Sequence, residues 1–582
     1  MKHAAWLACL ILVAAPVLAQ ETQSSDDRFK AFYSAEWAWR QEQSASGEDS
    51  VADQIIAHLP DVGPESQARR LAYWRDVATQ LDRLDTGKLS HDNQVNLQVY
   101  RAQIAVLIAE QMFRDYEKPL NSDSAFWSDL TWDTESSFHS EQDYRNYLSQ
   151  LGEFPRYFDQ NIANMRAGLK RGFTPPQVTL AGRDASVSSV IDAKTPQDSV
   201  YYKPFLTMPA TMPEDLQAAL RAEAVKVITG GVIPAHKVLL AFLRDDYIPH
   251  ATTSLAAGNL PDGKAYYKAQ IKRYTTLDLT AEEIHNIGLA EVAKIHQEML
   301  DTIAEAKFQG DFPAFLKFLR TDPQFYAKTP DELLGKASYM MKEFDDKSDR
   351  YFGYQPRGRF GIHPIPDEVA PYQPAGFGGA GGFQINLYDL PSRPIYAMPA
   401  LTLHEAAPGH SWAGLIAREH QNPDGFRGGG SAFGEGWALY CERLGTEMDM
   451  YHTPYEKFGM LSFQSWRASR LVVDTGMHSM GWTREQAQQF LRENTALSEH
   501  DIEEEVDRYI SWPGQALSYY LGMTVIQKER QHAQQALGKK FNLRAFHDAI
   551  LATGGVPLPV LEEYLEAWIK GGGVGPYPEM EK

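Results

Sequence analysis

Helical periodicity runs through most of this chain and fails once, between about residues 354 and 394, where Pro, Gly and aromatic side chains interrupt every turn. That single failure restricts the fold to a mainly α architecture with a small β-sheet set into it. Thr280-x-x-Glu283 is a capping box, a pair of side chains that satisfies the backbone N–H groups a helix start leaves unpaired. Ile284, Ile287, Val292, Ile295, Met299 and Ile303 follow it at near-helical intervals, and Thr483-x-x-Gln486 opens another such segment. Helix is also expected over 65–115, 140–170, 210–245, 460–480, 500–510 and 515–537. Inside the break, Phe383-Gln384-Ile385-Asn386-Leu387-Tyr388 alternates in character and reads as a strand at a sheet edge. The glycine-rich run 376–382 lacks the Gly-Lys-Ser/Thr ending of a phosphate cradle and is expected to be a mobile loop. The triple glycines at 428–430 and 571–573 read as hinges or loop ends.

Hydrophobic side chains make up 43% of the 582 residues, enough for a large core. No charge block or long Ser/Pro-rich linker separates independent units, so the expected body is continuous, with an N-terminal helical lobe at 20–270 and a second lobe at 271–582 that carries the small sheet. Met1-Lys2-His3, an apolar run over 4–17 and then Leu18-Ala19 read as a signal peptide, 1–19, with the mature chain starting at Gln20. The implied location is periplasmic or secreted. Cys9 is poorly placed for a lipid anchor, and no later segment offers ~20 uninterrupted apolar residues, so no membrane anchor is expected in the mature form. A net charge of −20 repels phosphate backbones and anionic lipid, which argues against nucleic acid and membrane surfaces as partners. Cys441, alone once the leader is gone, can make neither an internal disulfide nor a thiolate cluster. Any metal must use imidazole and carboxylate.

Leu401-Thr402-Leu403-His404-Glu405-Ala406-Ala407-Pro408-Gly409-His410 holds a His-Glu pair and a second His. In H-E-x-x-H zinc peptidases a spacing of four puts both imidazoles on one helical face. Here the second His is two residues late, and six residues at ~100° each would swing it away by roughly 240°. Pro408 removes a backbone donor and Gly409 permits otherwise forbidden dihedrals, so the helix must bulge or end, and a break can return His410 toward His404. The competing reading is a capped helix end with two ordinary histidines. Twenty-five residues beyond His410, Gly434-Glu435-Gly436-Trp437-Ala438-Leu439-Tyr440-Cys441-Glu442 supplies a carboxylate on an apolar helix. His/His/Glu is a recurrent set for catalytic zinc, and Glu442, seven residues after Glu435, shares its face and could orient a histidine.

The strings His-Glu-Ala-x-Pro-Gly-His and Glu-Gly-Trp-Ala-Leu-Tyr-x-Glu resemble the bacterial domain-of-unknown-function family 885. So do Arg470-Leu471-Val472-Val473-Asp474-Thr475-Gly476-x-His478 and Pro513-Gly514-Gln515-Ala516-x-Ser518-Tyr519. That family is similar in turn to the gluzincin metallopeptidases, mostly helical proteins with a deep substrate cleft. The resemblance implies Zn2+ held by His404, His410 and Glu435, with Glu405 as general base. An acid that often follows the liganding Glu by four is replaced by Leu439, which leaves Glu442 and Asp474 as candidates to support a ligand. An oxyanion donor is expected from Tyr519 first and His478 second. Arg470, Asp474 and His478 are four apart, with Arg467 adjacent; they form either an ion-pair ladder or a forked-donor site for a substrate C-terminal carboxylate. By the same resemblance, Gln384 and Asn386 lie alongside an extended peptide. The function implied is a zinc-dependent peptidase acting on short peptides, of oligopeptidase, dipeptidase or carboxypeptidase type. A metal-free peptide-binding protein and a metal-dependent hydrolase of other amides or esters are the alternatives.

Overall fold

The computed structural model describes residues 24–43, 55–122, 124–366, 370, 375–379, 381–420 and 430–577. The proposed signal peptide, its cleavage site and the glycines at 428 and 429 lie outside the described residues. The architecture is mainly helical, with 71% of residues in helix and one three-stranded sheet.

The capping box at Thr280 is formed as expected: Thr280 Oγ1 accepts the Glu283 amide at 3.2 Å, and Glu283 Oε2 accepts the Thr280 amide at 2.8 Å. It starts helix α1, Ala281–Glu305, whose buried stripe of Ile284, Gly288, Val292, Ile295, Met299 and Ile303 repeats every three or four residues. That stripe packs on the long helix Pro454–Ser479, where Leu471 and Val472 press so close to Gly288 that a Cβ there would collide with them. Truncating one such core side chain, Ile295→Ala for instance, costs about 2–5 kcal/mol.

The aromatic and glycine-rich break folds as the sheet: β1 (Gly361–Pro364), β2 (Gly376–Gly379) and β3 (Gly382–Ile385), in the order β1-β3-β2. β3 pairs parallel with β1 and antiparallel with β2. Two sequence expectations change here. The 383–388 segment is not an edge, because β3 is the central strand, and the glycine run 376–382 contributes strand β2 and the start of β3. Glycine allows a backbone to approach a neighbour that any side chain would hold off, and β2 uses that freedom at the site.

Downstream come α2 (Met398–Glu405), α3 (His410–His420), α4 (Ser431–Leu444), α5 (Pro454–Ser479) and α6 (Ser518–Leu537). α5 is buried nearly all round, as a helix at the centre of a large helical body must be. The largest apolar cluster gathers α1 to α6 and the sheet; a second spans Ile55 to Ala251, and a third joins Phe29 and Tyr33 to Trp74 and Tyr100. The helical run Glu214–His250 has the length and apolarity of a membrane span. Leu220, Ala224, Ile228, Val232, Leu239 and Tyr247 from that run are buried in the second cluster, which accounts for its apolar character.

Candidate metal centre

The motif helix α2 stops at Glu405, and residues 406–409 leave helical geometry before α3 begins at His410. The break is tied at both ends. The Gly409 amide donates back to the Leu403 carbonyl and the Trp412 amide to the Ala406 carbonyl, both at 3.0 Å. Ser411 Oγ donates to the Glu405 carbonyl at 2.9 Å. Position 409 must be glycine, since a Cβ would run into the His404 carbonyl. From α4, Trp437 Nε1 donates to the Pro408 carbonyl at 2.8 Å, docking the helix that carries Glu435 onto the break.

As a result the six-residue spacing closes on itself. The rings of His404 and His410 lie 4.9 Å apart, and Glu435 Oε2 sits 3.5 Å from His404 Nε2 and 3.3 Å from His410 Nε2. Two ligand atoms on a tetrahedral zinc, at bonds of ~2.0–2.1 Å, are about 3.3 Å apart. Glu435 Oε2 is also buried without a hydrogen-bond partner among the described residues. An orphaned carboxylate oxygen facing two ring nitrogens at coordination spacing fits a divalent cation. The histidine and Glu435 side chains have a 23% and 22% exposed flank at His410 and Glu435, so solvent reaches the group, whereas His404 is buried.

His404, Glu405 and His410 also bring ligand atoms within 4.8 Å of one another. Glu405 is nonetheless the worse third ligand. Its Oε1 is 4.0 Å from His404 Nε2, and its Oε2 accepts the Gly378 amide from β2 at 2.7 Å. β2 approaches so closely that a Cβ at Gly378 would overlap the Glu405 carbonyl. Glu442 settles the orientation of His404: it is fully buried and its Oε1 lies 2.7 Å from Nδ1, while Gln464 Nε2 reaches its other oxygen at 3.4 Å. Burial alone would push the His404 pKa down. The Glu435 carboxylate 3.5 Å away, the hydrogen bond to Glu442 and the Glu405 charge overturn this and raise it to about 9. Burial likewise opposes ionisation of Glu435, yet the charge of His410 and the closeness of both histidine rings hold its carboxyl well below the usual range. Three acids around two imidazoles thus favour a positive charge at the centre, which a cation could supply in place of protons.

The family model described as a bacterial protein of unknown function (DUF885) matches residues 42–565. The chain belongs to the DUF885 family. A crystal structure of a candidate lipoprotein from Colwellia psychrerythraea is 25% identical with a TM-score of 0.84, covering 94% of this chain and 100% of its own. A candidate lipoprotein of unknown function from Shewanella oneidensis, 16% identical, shares the fold with a TM-score of 0.68 over 93% of this chain and 99% of its own. No curated protein matches the chain.

In this DUF885 chain the remaining site candidates separate. Tyr519, at the start of α6, stacks toward His404 with ring centroids 6.4 Å apart, and the guanidinium of Arg470 lies 4.2 Å from its ring. His478 is no oxyanion donor: it is buried on α5, its Nδ1 accepts the Ala257 amide at 3.0 Å and its Nε2 donates to the Tyr509 carbonyl at 2.9 Å. Asp474 does not touch a metal-site histidine; it accepts from the Tyr267 hydroxyl and, at 3.1 Å, from the Gly514 amide. No ladder runs along α5 either, because Arg470 pairs with Glu505 at 2.7 Å and with the Tyr509 hydroxyl at 2.9 Å. Arg467 stands apart, with its guanidinium 3.8 Å from the Trp466 ring and 5.9 Å from that of Tyr519. Asn386 is fully buried and spends its side chain on the Ala370 carbonyl and the Tyr388 amide, and Gln384 belongs to the central strand. The edge strand next to Glu405 is β2. Sequence reasoning missed Gly378 and Trp437 as organisers of the break; the density of glycine at 376–382 was the available signal for the first.

Proposed function

We propose that this chain is an exported zinc-dependent peptidase acting on short peptides. The observation that carries the reading is the triangle of His404 Nε2, His410 Nε2 and the partnerless Glu435 Oε2, with two sides of 3.5 and 3.3 Å. The signal-like first 19 residues and the candidate-lipoprotein relatives support export.

His404, His410 and Glu435 would hold the ion. Bound there, zinc would polarise a scissile carbonyl and bring the pKa of a water toward ~7. The chain's own groups divide the remaining work. Glu442 accepts the Nδ1–H hydrogen bond of His404, which fixes the tautomer and leaves the Nε2 lone pair available to hold the ion. Glu405, anchored through one oxygen by the Gly378 amide, keeps the other free to take a proton from the attacking water and return it to the leaving amine. The Tyr519 hydroxyl is the donor for the oxyanion. β2 is the edge strand beside Glu405, so an extended substrate laid along it would bring its backbone to the base.

Elemental analysis of the purified protein and peptide hydrolysis, compared between wild type and Glu405→Gln, test this. Expected are one zinc per chain in both and turnover reduced by roughly 10²–10⁴-fold in the variant. A chain that binds no transition metal, or a variant that hydrolyses peptides as fast as wild type, defeats the reading.

A further inference from the structure

The entry to α6 is tied to one face of α5. Gly514, in the left-handed region at φ 84°, leads through a short turn at Gln515–Leu517 into α6, whose second residue is Tyr519. Asp474 accepts the Gly514 amide at 3.1 Å. Arg470, one turn earlier on α5, lays its guanidinium 4.2 Å from the centre of the Tyr519 ring. Ser518 Oγ adds a third tie, donating to the Tyr274 carbonyl at 2.9 Å.

Arg470 is itself braced. The helix Glu499–Ser511 supplies Glu505, whose Oε2 accepts Nη2 at 2.7 Å, and Tyr509, whose hydroxyl accepts Nε at 2.9 Å, while the Trp466 ring lies 4.6 Å away. Arg470 is buried, and its Nη1 has no acceptor among the described residues. A buried ion pair that leaves a donor unsatisfied is a weak stabilising contact, because a well-packed apolar side chain in its place is often neutral or better. What an anchored guanidinium does provide is a rigid planar support for one aromatic ring. The supported ring faces the metal centre: it lies within 18° of parallel to His404, at 6.4 Å between centroids. A catalytic donor works only when held to about 0.5 Å, and a 1 Å misplacement costs about 10²-fold in rate.

We infer that Arg470 is a positioning residue for the proposed hydrolysis: braced by Glu505 and Tyr509, it fixes the Tyr519 ring so that the hydroxyl meets the oxyanion as it develops. This rests on the zinc-peptidase reading and on Tyr519 as its donor. Arg470 acts through Tyr519 alone, and its effect therefore falls on the chemical step and not on substrate or metal affinity.

The test is a double-mutant cycle on the full chain with a fluorogenic short peptide. Tyr519→Phe is expected to lower kcat about 10²–10³-fold, the value of one oxyanion donor. Arg470→Met should lower kcat about 10–100-fold, with KM within about 3-fold of wild type and zinc still bound at one per chain. In the Tyr519→Phe background the same substitution should cost nothing further, because a residue that acts through a hydroxyl has nothing to act on once it is gone. If Arg470→Met does not fold, because it strands Glu505, the combination with Glu505→Gln removes the pair together and carries the same expectation. A readout without turnover is fluorine NMR of a fluorotyrosine placed at 519: one narrow resonance in wild type should broaden or split when Arg470 is replaced. Losses that multiply across the cycle overturn the assignment, as do an Arg470 variant with wild-type kcat, loss of zinc from that variant, an unaltered resonance, or a fully active Tyr519→Phe. A wild-type protein without zinc or without hydrolysis removes the peptidase reading and this role with it, whereas an active wild type with an equally active Arg470 variant removes this role alone.

Discussion

Among the described residues, two buried clusters pair histidine with carboxylate around α5 and around α2 and α4, and they differ in how many of their polar atoms are spoken for. On α5, His478 uses both ring nitrogens on backbone groups of Ala257 and Tyr509, and both oxygens of Asp474 accept hydrogen bonds, from the Tyr267 hydroxyl and the Gly514 amide. Around α2 and α4, Glu435 Oε2 is left without a donor and two ring nitrogens point at it. A saturated cluster stabilises the fold and can do little else, because each ring nitrogen and each carboxylate oxygen already has a partner. An unsaturated one costs stability and persists where a ligand completes it. A similar contrast separates Arg470, which bonds Glu505, from Arg467, whose Nε and Nη1 have no acceptor among the described residues.

The largest expected effect comes from removing a corner of the unsaturated cluster. Glu435→Ala should abolish stoichiometric zinc binding, measured by elemental analysis, while leaving the unfolding temperature of the metal-free chain unchanged or raised; stoichiometric zinc in that variant would break the comparison. Next, Glu442→Ala should weaken zinc affinity about 10–100-fold, because His404 loses the partner that sets its tautomer. Competition titration with a chelator reads this directly, and unaltered affinity would make Glu442 a packing residue.

In the saturated cluster the effect falls on stability instead. Asp474→Ala strands the Tyr267 hydroxyl and the Gly514 amide in the interior and should cost about 2–4 kcal/mol in denaturant unfolding, with zinc affinity unaltered. A loss of metal without a loss of stability would merge the two clusters.

The smallest effect is on pH dependence. Burial depresses His547 to about 3; its Nδ1 donates to the Tyr351 carbonyl and its Nε2 accepts from Tyr440. His236, also buried, is lowered to about 4. The unfolded chain binds protons below its histidine pKa of ~6.5 while the native state refuses them, so stability is full above that pH and declines toward pH 4. The slope should approach about 1.4 kcal/mol per pH unit for each histidine. Unfolding curves that superimpose between pH 7 and 5 would show that these two rings are solvated after all.

Much of this was readable before the fold. Thr280 and Thr483 cap the helices their side chains announce, because capping is a contact across three residues. Pro408 and Gly409 end α2 for equally local reasons. The sheet was read less well: 383–388 was expected at an edge and 376–382 as a mobile loop, and glycine gives no alternation from which to recognise β2. His478 and Asp474 were misplaced because helical spacing says which residues share a face and not what packs against it; their partners come from Ala257, Tyr267, Tyr509 and Gly514.

The sequence by itself determined a helical chain of DUF885 type, a helix broken between two histidines, and the chemical kinds available to bind a cation. Only the tertiary structure decided that Glu435 closes the triangle, that Glu442 and not Asp474 supports His404, and that Arg467 has two nitrogens without an acceptor among the described residues. The reason is physical: a cap or a kink is fixed by neighbours a few residues away, whereas whether a buried polar atom is satisfied depends on groups brought to it by packing from anywhere in the chain.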